Sequence, residues 1–524
     1  MATGQELTYD TGASATEMAE TIMGEGVTVV DADYDGSWYA SAIYSDGDSI
    51  AAGPTPSDSG VILSTGYVGN FTQSWGDPNR SDGTSTNTSG DNNNPLLNNA
   101  ANASTYDASI LTIDFIPEGD TMTMQFVFAS EEYPEFTGSE FSDVVAVYIN
   151  GELVTSPVID VTQINSINQT ENANLFVDNT GDDHNTEMDG FTVTLSLQMD
   201  VNPNEVNELI IAIADVADSS YDSNLLIAAD SAQTAFIAND DAITHYEGQT
   251  AIVDALANDG SAGVMTITHV NGQEISVGET ITLPSGHAVT LLADGTLQVV
   301  PPADQTNLVA DETVNFTYTV ENEDGITDTA FVTVTAIPCF VRGTLIRTPG
   351  GDVPIETLGA GDLVETRDNG PQPLRWIGSR RVPAEGRFRP VVIEAGTFGL
   401  HARLVVSPQH RVLLRHWMAE LMFGEDEVLV AAKDLVNECS VRFWDAGGEV
   451  EYFHLLFDRH QIVWSEGLET ESFQPGPYVM DDLEAAVRDE VLALFPQIDP
   501  ENLSGYGPAA RTTLKAHEAR LLAG

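Results

Sequence analysis

Residues 339–351 read CFVRGTLIRTPGG, and the chain changes character at the cysteine that opens them. Apolar and β-branched residues alternate there with polar ones, and Gly-Thr and Pro-Gly-Gly punctuate them as turns. The same texture continues through RWIGSRR, RPVVIEAG, LVVSPQHRVLL, EVLVAAKDL and EYFHLLFDRHQIVWSEG, with Gly-Asp and Asn-Gly turns between short strands. This predicts a compact all-β unit over residues 337–479. Beyond Val479 the apolar residues of DDLEAAVRDEVLALF and ARTTLKAHEARLLA recur at three and four, which predicts a short α-helical tail over 480–524.

Charge marks the same boundary. The chain of 524 residues holds 81 acidic and 19 basic side chains, a net charge of −62. Arg80 is the one basic residue before Cys339, so that portion carries about −52 and the remainder about −10. Such a field repels nucleic acid phosphates and anionic lipid heads, which excludes non-specific binding to either and makes divalent cations the natural counter-partner. Calcium, which takes hard carboxylate, amide and carbonyl oxygens, is the expected structural cation. A surface adapted only to salt is the alternative.

The length exceeds what one hydrophobic core supports, so several domains are expected. Cys339 and Cys439 allow one disulfide at most, and Cys439, within ECSVRFW, reads as a buried, inert strand thiol. MATGQELTYD has neither a charged start nor an apolar core, so no cleavable signal peptide is expected, and no apolar run is long enough for a membrane-spanning helix. Export, on this reading, takes a signal-peptide-independent route.

A thiol placed directly after a peptide bond has a specific use. It reaches the preceding carbonyl through a five-membered ring, forms a tetrahedral intermediate and collapses to a thioester. Cys339 would attack the Pro338 carbonyl in this way. The departing amine needs a proton, and histidine is the natural donor.

The pattern Cys339-Phe340, Gly343-Thr344, Ile346, Thr348-Pro349 and Gly351, followed by Ser407-Pro408-Gln409-His410 and YFHLLFDRHQIVWSEGLETESFQPG, resembles the Hint domain shared by hedgehog C-terminal regions and inteins. That resemblance implies an all-β fold in which His410 polarises and protonates the scissile amide while the Ser407 hydroxyl helps to hold it. Ser407 stands where the family usually has threonine, and Pro338 precedes the nucleophile. No His-Asn pair followed by Cys, Ser or Thr closes the domain near Phe473, so splicing is excluded and cleavage or transfer remains.

His454 and His460, six apart, would share a face if both lay on one strand, with Asp458 orienting one of them. Each is read either as a second acid/base group or as a core-edge histidine bonded to a carbonyl. His401, His416 and His517 read as structural or surface residues.

Upstream, strand patterns appear in SILTIDFI, TMTMQFVFAS, DVVAVYING, FTVTLSLQM and ELIIAIADVA, after a helical piece from Ser14 to Gly24; the polar tract Ser74–Asn102 reads as a long loop. GVTVVDADYDGS, GVILSTGYVGN, FVFASEEYPEF, DGFTVTL and IAIADVADSSYDSNL make residues 1–233 resemble the choice-of-anchor L domain of bacterial surface proteins, which implies a displayed β-sandwich. Residues 234–336, from NDDAITHYEGQTAIVDALANDG to VNFTYTVENEDGITDTAFVTVTA, resemble a cadherin-like or immunoglobulin-like repeat of adhesins.

Candidate calcium ligands are Glu131, Asp143, Asp215, Asp218 and Asp222 in the first segment and Asp240, Asp241 and Asp259 in the second, with Asp254, Asp324 and Asp328 beside them. Adjacent Glu131 and Glu132 on a strand would point to opposite faces. Ordinary turn chemistry is the competing use of the aspartates. Carboxylates alone do not make a glycosidase, no phosphate-binding loop is present, and zinc ligands in paired spacing are lacking.

The fold class is therefore mainly β and multidomain: an N-terminal β-sandwich, an Ig/cadherin-like β-sandwich, an all-β Hint domain and a helical tail. The expected function is single-turnover, cysteine-dependent self-cleavage at Pro338–Cys339. Its direct partner is the chain's own peptide bond, with a cell-surface or extracellular acceptor as a further partner and no nucleic acid or integral membrane span involved. The rival reading is a non-catalytic, calcium-stabilised surface adhesin with an inactive Hint domain.

Overall fold

The computed structural model describes residues 2–81, 83–137, 143–156, 166–169, 172–245, 250–260, 264–302, 313–336, 339–384, 389–417, 419, 425–437, 439–444, 447–473 and 509–514. Two compact units emerge. One holds Met1–Asp241, Ile252–Val299 and Val314–Thr333; the other holds Ala242–Ala251, Val300–Thr313 and Val334–Gly524.

Two antiparallel sheets dominate the first unit. One runs Thr8–Asp10, Ser41–Ser45, Gly60–Ser64, Ser223–Ala228, Thr121–Ser130, Gly190–Thr192 and Phe176–Asp178, with Leu195–Asp200 also on Thr121–Ser130. The other runs Val27–Asp35, Thr105–Pro117, Asn207–Val216, Val144–Ile149 and Glu152–Leu153. Alternate residues such as Leu111, Ile113 and Phe115 enter a shared core with Leu209, Ile211 and Ile213 from their paired strand. The period of two that marks these strands in the sequence is the period of their burial.

The helix spans Ala15–Ile22, where Ser14 and Glu17 form a capping box that satisfies the first free amides. The polar tract is not wholly loop. Asn94 caps a helix at Pro95–Ala101, Pro95 sits in its first turn, and Leu97 and Ala101 are buried. Residues 266–299 and 314–333 contribute paired strands to this unit, with Thr266–Val270 antiparallel to Thr313–Glu321. Polar side chains join it to the first sandwich: Gln125 donates to the Thr327 carbonyl at 3.0 Å, and Asn174 to that of Asn315 at 3.0 Å. Phe331 enters the sandwich core.

In the second unit, one sheet runs Trp376–Pro383, Glu449–Leu456, Phe340–Val341, Leu404–Val406, Val391–Ile393 and Val441–Phe443. Another runs Gly351–Pro354, Leu345–Thr348, Ile462–Ser465, Leu468–Glu471, Arg411–Leu414 and Val428–Ala431. Phe340, Ile346, Val406, Val412, Phe453 and Val463 fill the core. Gly343, at φ +88°, takes the left-handed turn after Val341 that a side chain would strain.

Most of the expected helical tail lies outside the described residues. Its described part, residues 509–514, is bent and bridged rather than helical, with Thr513 paired to Leu429 and Leu514 in the core. Tertiary pairing overrides the three-and-four spacing there.

Candidate active site

Cross-strand register assembles the site. Phe340 lies opposite Val406 on one side and Phe453 on the other, so Cys339, one residue earlier, faces Ser407 and His454. The contacts follow. The Cys339 amide donates to Ser407 Oγ at 2.7 Å, the Ser407 amide donates to the Cys339 carbonyl at 2.9 Å, and Cys339 Sγ lies 3.5 Å from His454 Nε2. Cys339 is buried and has no disulfide partner. Pro338, whose carbonyl the thiol would attack, lies outside the described residues.

His410 comes from a turn closed by its own amide on the Ser407 carbonyl at 3.1 Å. Its ring packs against Phe340, the residue after the cysteine, with centroids 4.1 Å apart. Both ring nitrogens are buried without a hydrogen-bond partner among the described residues. Burial depresses its pKa to about 4; Glu471 opposes that, and the charges of His454, Arg411 and His460 add to it. The imidazole is therefore uncharged at neutral pH, and its conjugate acid is a strong proton donor.

Glu471 forms the floor of this region. Val412 pairs with Thr470, which sets Arg411 opposite Glu471. The Arg411 amide and Nη1 donate to Glu471 at 3.0 and 3.1 Å, and His460 Nε2 stands 3.5 Å from it. Burial raises the Glu471 pKa, but Arg411 and His460 outweigh it and hold the group at about 2. A fully buried carboxylate is thus kept charged beside the imidazoles of His460 and His410.

Residues 338–477 match the Hint domain. Residues 8–233 match the choice-of-anchor L domain, and residues 231–335 match the bacterial Ig domain. Among curated proteins none matches the chain. Among solved structures, the bacterial intein-like domain from Clostridium thermocellum is similar at 17% identity and a TM-score of 0.18, covering 26% of this chain and 98% of that one. A β-glucosidase from Kluyveromyces marxianus is similar at 13% identity and a TM-score of 0.13, over 24% of this chain and 10% of that one. A β-glucuronidase from Ruminococcus gnavus is similar at 10% identity and a TM-score of 0.13, over 45% of this chain and 37% of that one.

Within the Hint domain the candidate residues separate. Cys339, Ser407 and His454 meet, and His410 packs beside them. His460 does not share a strand with His454: it follows the end of Glu449–Leu456 and precedes Ile462–Ser465. Asp458 orients neither histidine. It is half exposed and forms a two-pronged pair with Arg375 at 2.7 and 2.6 Å. The acid beside His460 is Glu471, which sequence spacing does not single out.

Cys439 is exposed, not buried. The Asn437 carboxamide oxygen accepts from the amides of Cys439, Ser440 and Val441, holding the cysteine in a turn before strand Val441–Phe443. His401 bonds the local turn through Phe398 and Ala402, His416 lies beside Trp417 at 5.8 Å, and His517 lies outside the described residues.

In the choice-of-anchor L segment, Glu131 and Glu132 diverge into two buried acid groups. Burial lifts Glu131 to about 10, reinforced by Asp189 and Glu187, opposed by the Thr84 backbone N–H and raised more weakly by Asp222, and neither carboxylate oxygen accepts a well-formed hydrogen bond. Asn79 bonds Asp189 at 2.6 Å and Thr84 bonds Glu187 at 3.1 Å, while Glu187 Oε2 and Asp222 Oδ2 remain unpartnered. Glu132 accepts from the Asp143 amide at 3.1 Å, and Asp143 accepts from Val216 and Ser223. Burial raises both Asp143 and Asp215. Asp218 is exposed and closes a turn with the Ser220 amide at 2.9 Å.

The aspartates of the bacterial Ig segment are mostly held by protein donors. Asp259 accepts from the Asn239 amide and the Tyr318 hydroxyl, Asp240 from the Phe331 amide, and Asp328 from the amides of Ala238 and Thr329. Asp241 keeps one oxygen unpartnered. Asp254 and Asp324 are exposed. Among the described residues, no three acid, imidazole or thiol groups converge at metal-ligand distance, and no helix is long and apolar enough to cross a membrane.

Proposed function

We propose that the Hint domain cleaves the bond between Pro338 and Cys339 in a single turnover. The thiol passes its proton to His454 Nε2, and sulfur attacks the Pro338 carbonyl carbon. The proton taken from sulfur passes from the His454 ring to the His410 ring, and the tetrahedral intermediate expels the Cys339 nitrogen as the charged His410 ring delivers that proton to it, leaving a Pro338 thioester and a free amine on Cys339. The net movement is one proton from sulfur to nitrogen, and both imidazoles end uncharged. Water or an amine resolves the thioester, releasing or transferring the acidic N-terminal region, and no splicing follows.

The observation that carries this reading is the double engagement of Cys339, with its nitrogen held by Ser407 Oγ at 2.7 Å and its sulfur 3.5 Å from an imidazole. The choice-of-anchor L match supports display of the released region at a cell surface. Hydroxylamine treatment of the purified chain tests the chemistry, because it intercepts a thioester and does not cut an ordinary amide.

A second role rests on Glu131. Calcium would draw together the carboxylates of Glu131, Glu187, Asp189 and Asp222, which as they stand do not converge at metal-ligand distance and already take donors from Asn79, Thr84 and Thr86, but which keep unpartnered oxygens on Glu131, Glu187 and Asp222. The aspartates of the bacterial Ig segment fit it poorly, since amide and hydroxyl donors already occupy most of their oxygens.

A further inference from the structure

The strand Val428–Ala431 ends its sheet, which leaves one row of backbone groups to be covered. Residues 512–514 cover it: the Leu429 amide donates to the Thr512 carbonyl at 2.8 Å, and the Leu514 amide donates to the Leu429 carbonyl at 2.9 Å. Arg511 fastens the same segment, with Nε on Glu427 at 2.9 Å and its two terminal nitrogens on Asp368 at 3.1 and 2.8 Å. The Leu514 side chain is buried in the core of the Hint fold. This segment lies well past residue 477, where the Hint match ends.

One contact of the segment reaches inward. The Ala510 amide donates to His460 Nδ1 at 3.0 Å, so the ring hydrogen sits on Nε2, which donates to the Ser472 carbonyl at 3.0 Å beside Glu471. The opposite tautomer would set two hydrogens against each other at Ala510 and leave a bare nitrogen facing a carbonyl and a carboxylate. Glu471 in turn binds Arg411, the neighbour of His410.

We infer that Ala510 is a positioning residue for the cleavage site: its backbone N–H fixes the tautomer of His460, and through His460 and Glu471 it sets the electrostatic surroundings of His410. The C-terminal segment is by this account a working part of the processing domain. The role presupposes the cleavage reaction, but the tautomer does not.

The test uses the full chain carrying Cys339→Ala, with nitrogen-15 in its imidazoles and His460 assigned by a His460→Gln chain. The unaltered segment gives one protonated and one bare nitrogen at His460, with the hydrogen on Nε2. Ala510→Pro, which removes the donor, mixes or reverses that signature. Ala510→Gly, which keeps the donor, preserves it, and so does Arg511→Ala, which loosens docking without touching the amide. In chains that retain Cys339, Ala510→Pro slows cleavage about fivefold, the effect of one lost hydrogen bond, and Ala510→Gly does not. An unchanged His460 signature in Ala510→Pro, or its loss in Ala510→Gly as well, overturns the assignment. A changed signature with unchanged cleavage overturns the positioning role. Absence of cleavage in every chain refutes the proposed reaction and leaves the tautomer assignment to stand on its own spectrum.

Discussion

Ser407 and Cys339 hold each other by two reciprocal hydrogen bonds, amide to hydroxyl at 2.7 Å and amide to carbonyl at 2.9 Å. The first fixes the nitrogen that must leave. Ser407→Ala removes that acceptor while keeping the backbone bond, and slows cleavage about tenfold, as expected for one well-placed hydrogen bond. Ser407→Thr keeps the hydroxyl and stays within about threefold of the parent on the same energy scale. Timed electrophoresis of the three chains measures this, and equal rates for Ser407→Ala and the parent count against the role.

The sandwich strands and the helix opened by Ser14 were legible because burial follows their periods, and Ser14 with Glu17 is a readable cap. The helix at Pro95–Ala101 hides in an Asn-rich tract whose composition suggests loop, although Asn94 before Pro95 is itself a start signal. At the candidate site, Cys339, Ser407 and His410 stood out by local pattern. Glu471 did not, because its meaning depends on Arg411 across a strand pair 60 positions away in sequence. Asp458 and His460 misled for the reverse reason, since nearness along the chain stood in for nearness in space. Glu131 and Glu132 lie in the turn that follows strand Thr121–Ser130, not on the strand, so their divergence comes from the turn and not from a period of two.

The two units respond to pH with opposite sign. His410 is depressed from 6.5 to about 4, so an unfolded chain binds its proton more readily between those values. Stability of the Hint domain is full above pH 6.5 and declines by roughly 3 kcal/mol as pH falls to about 4. Glu131, raised by burial and neighbouring acids to about 10, acts the other way: the folded state keeps a proton that the unfolded state loses, so stability declines as pH rises above 4.5. Calorimetry at pH 5 and pH 8 resolves the opposed shifts, and parallel shifts of both transitions would contradict this assignment.

Calcium reverses the second trend. Added calcium raises the melting temperature of the N-terminal transition at pH 8, a chelator lowers it, and Glu131→Gln weakens the response. Scanning calorimetry with calcium or with chelator reads it directly. A transition indifferent to both leaves Glu131 as a protonated, buried acid with no cation.

Glu471 and Asp458 provide a contrast between a buried and an exposed pair. Glu471→Gln strands the charge of Arg411 and costs roughly 3 kcal/mol, together with faster loss of the folded Hint domain in denaturant. Asp458→Asn, at a pair whose side chains are 45% and 50% exposed, costs less than about 1 kcal/mol and leaves cleavage unchanged. Urea titrations of both variants check the ranking, and a larger loss for Asp458→Asn would refute it.

The central claim is that the sulfur of Cys339 takes over the acyl group of Pro338. Mass spectrometry of the purified chain after hydroxylamine treatment reads that transfer at one residue. The account predicts a fragment ending in a Pro338 hydroxamate and a partner beginning with Cys339, both absent in Cys339→Ala and reduced at least about a hundredfold in His410→Ala. An intact chain under these conditions, or the same fragments from Cys339→Ala, contradicts it.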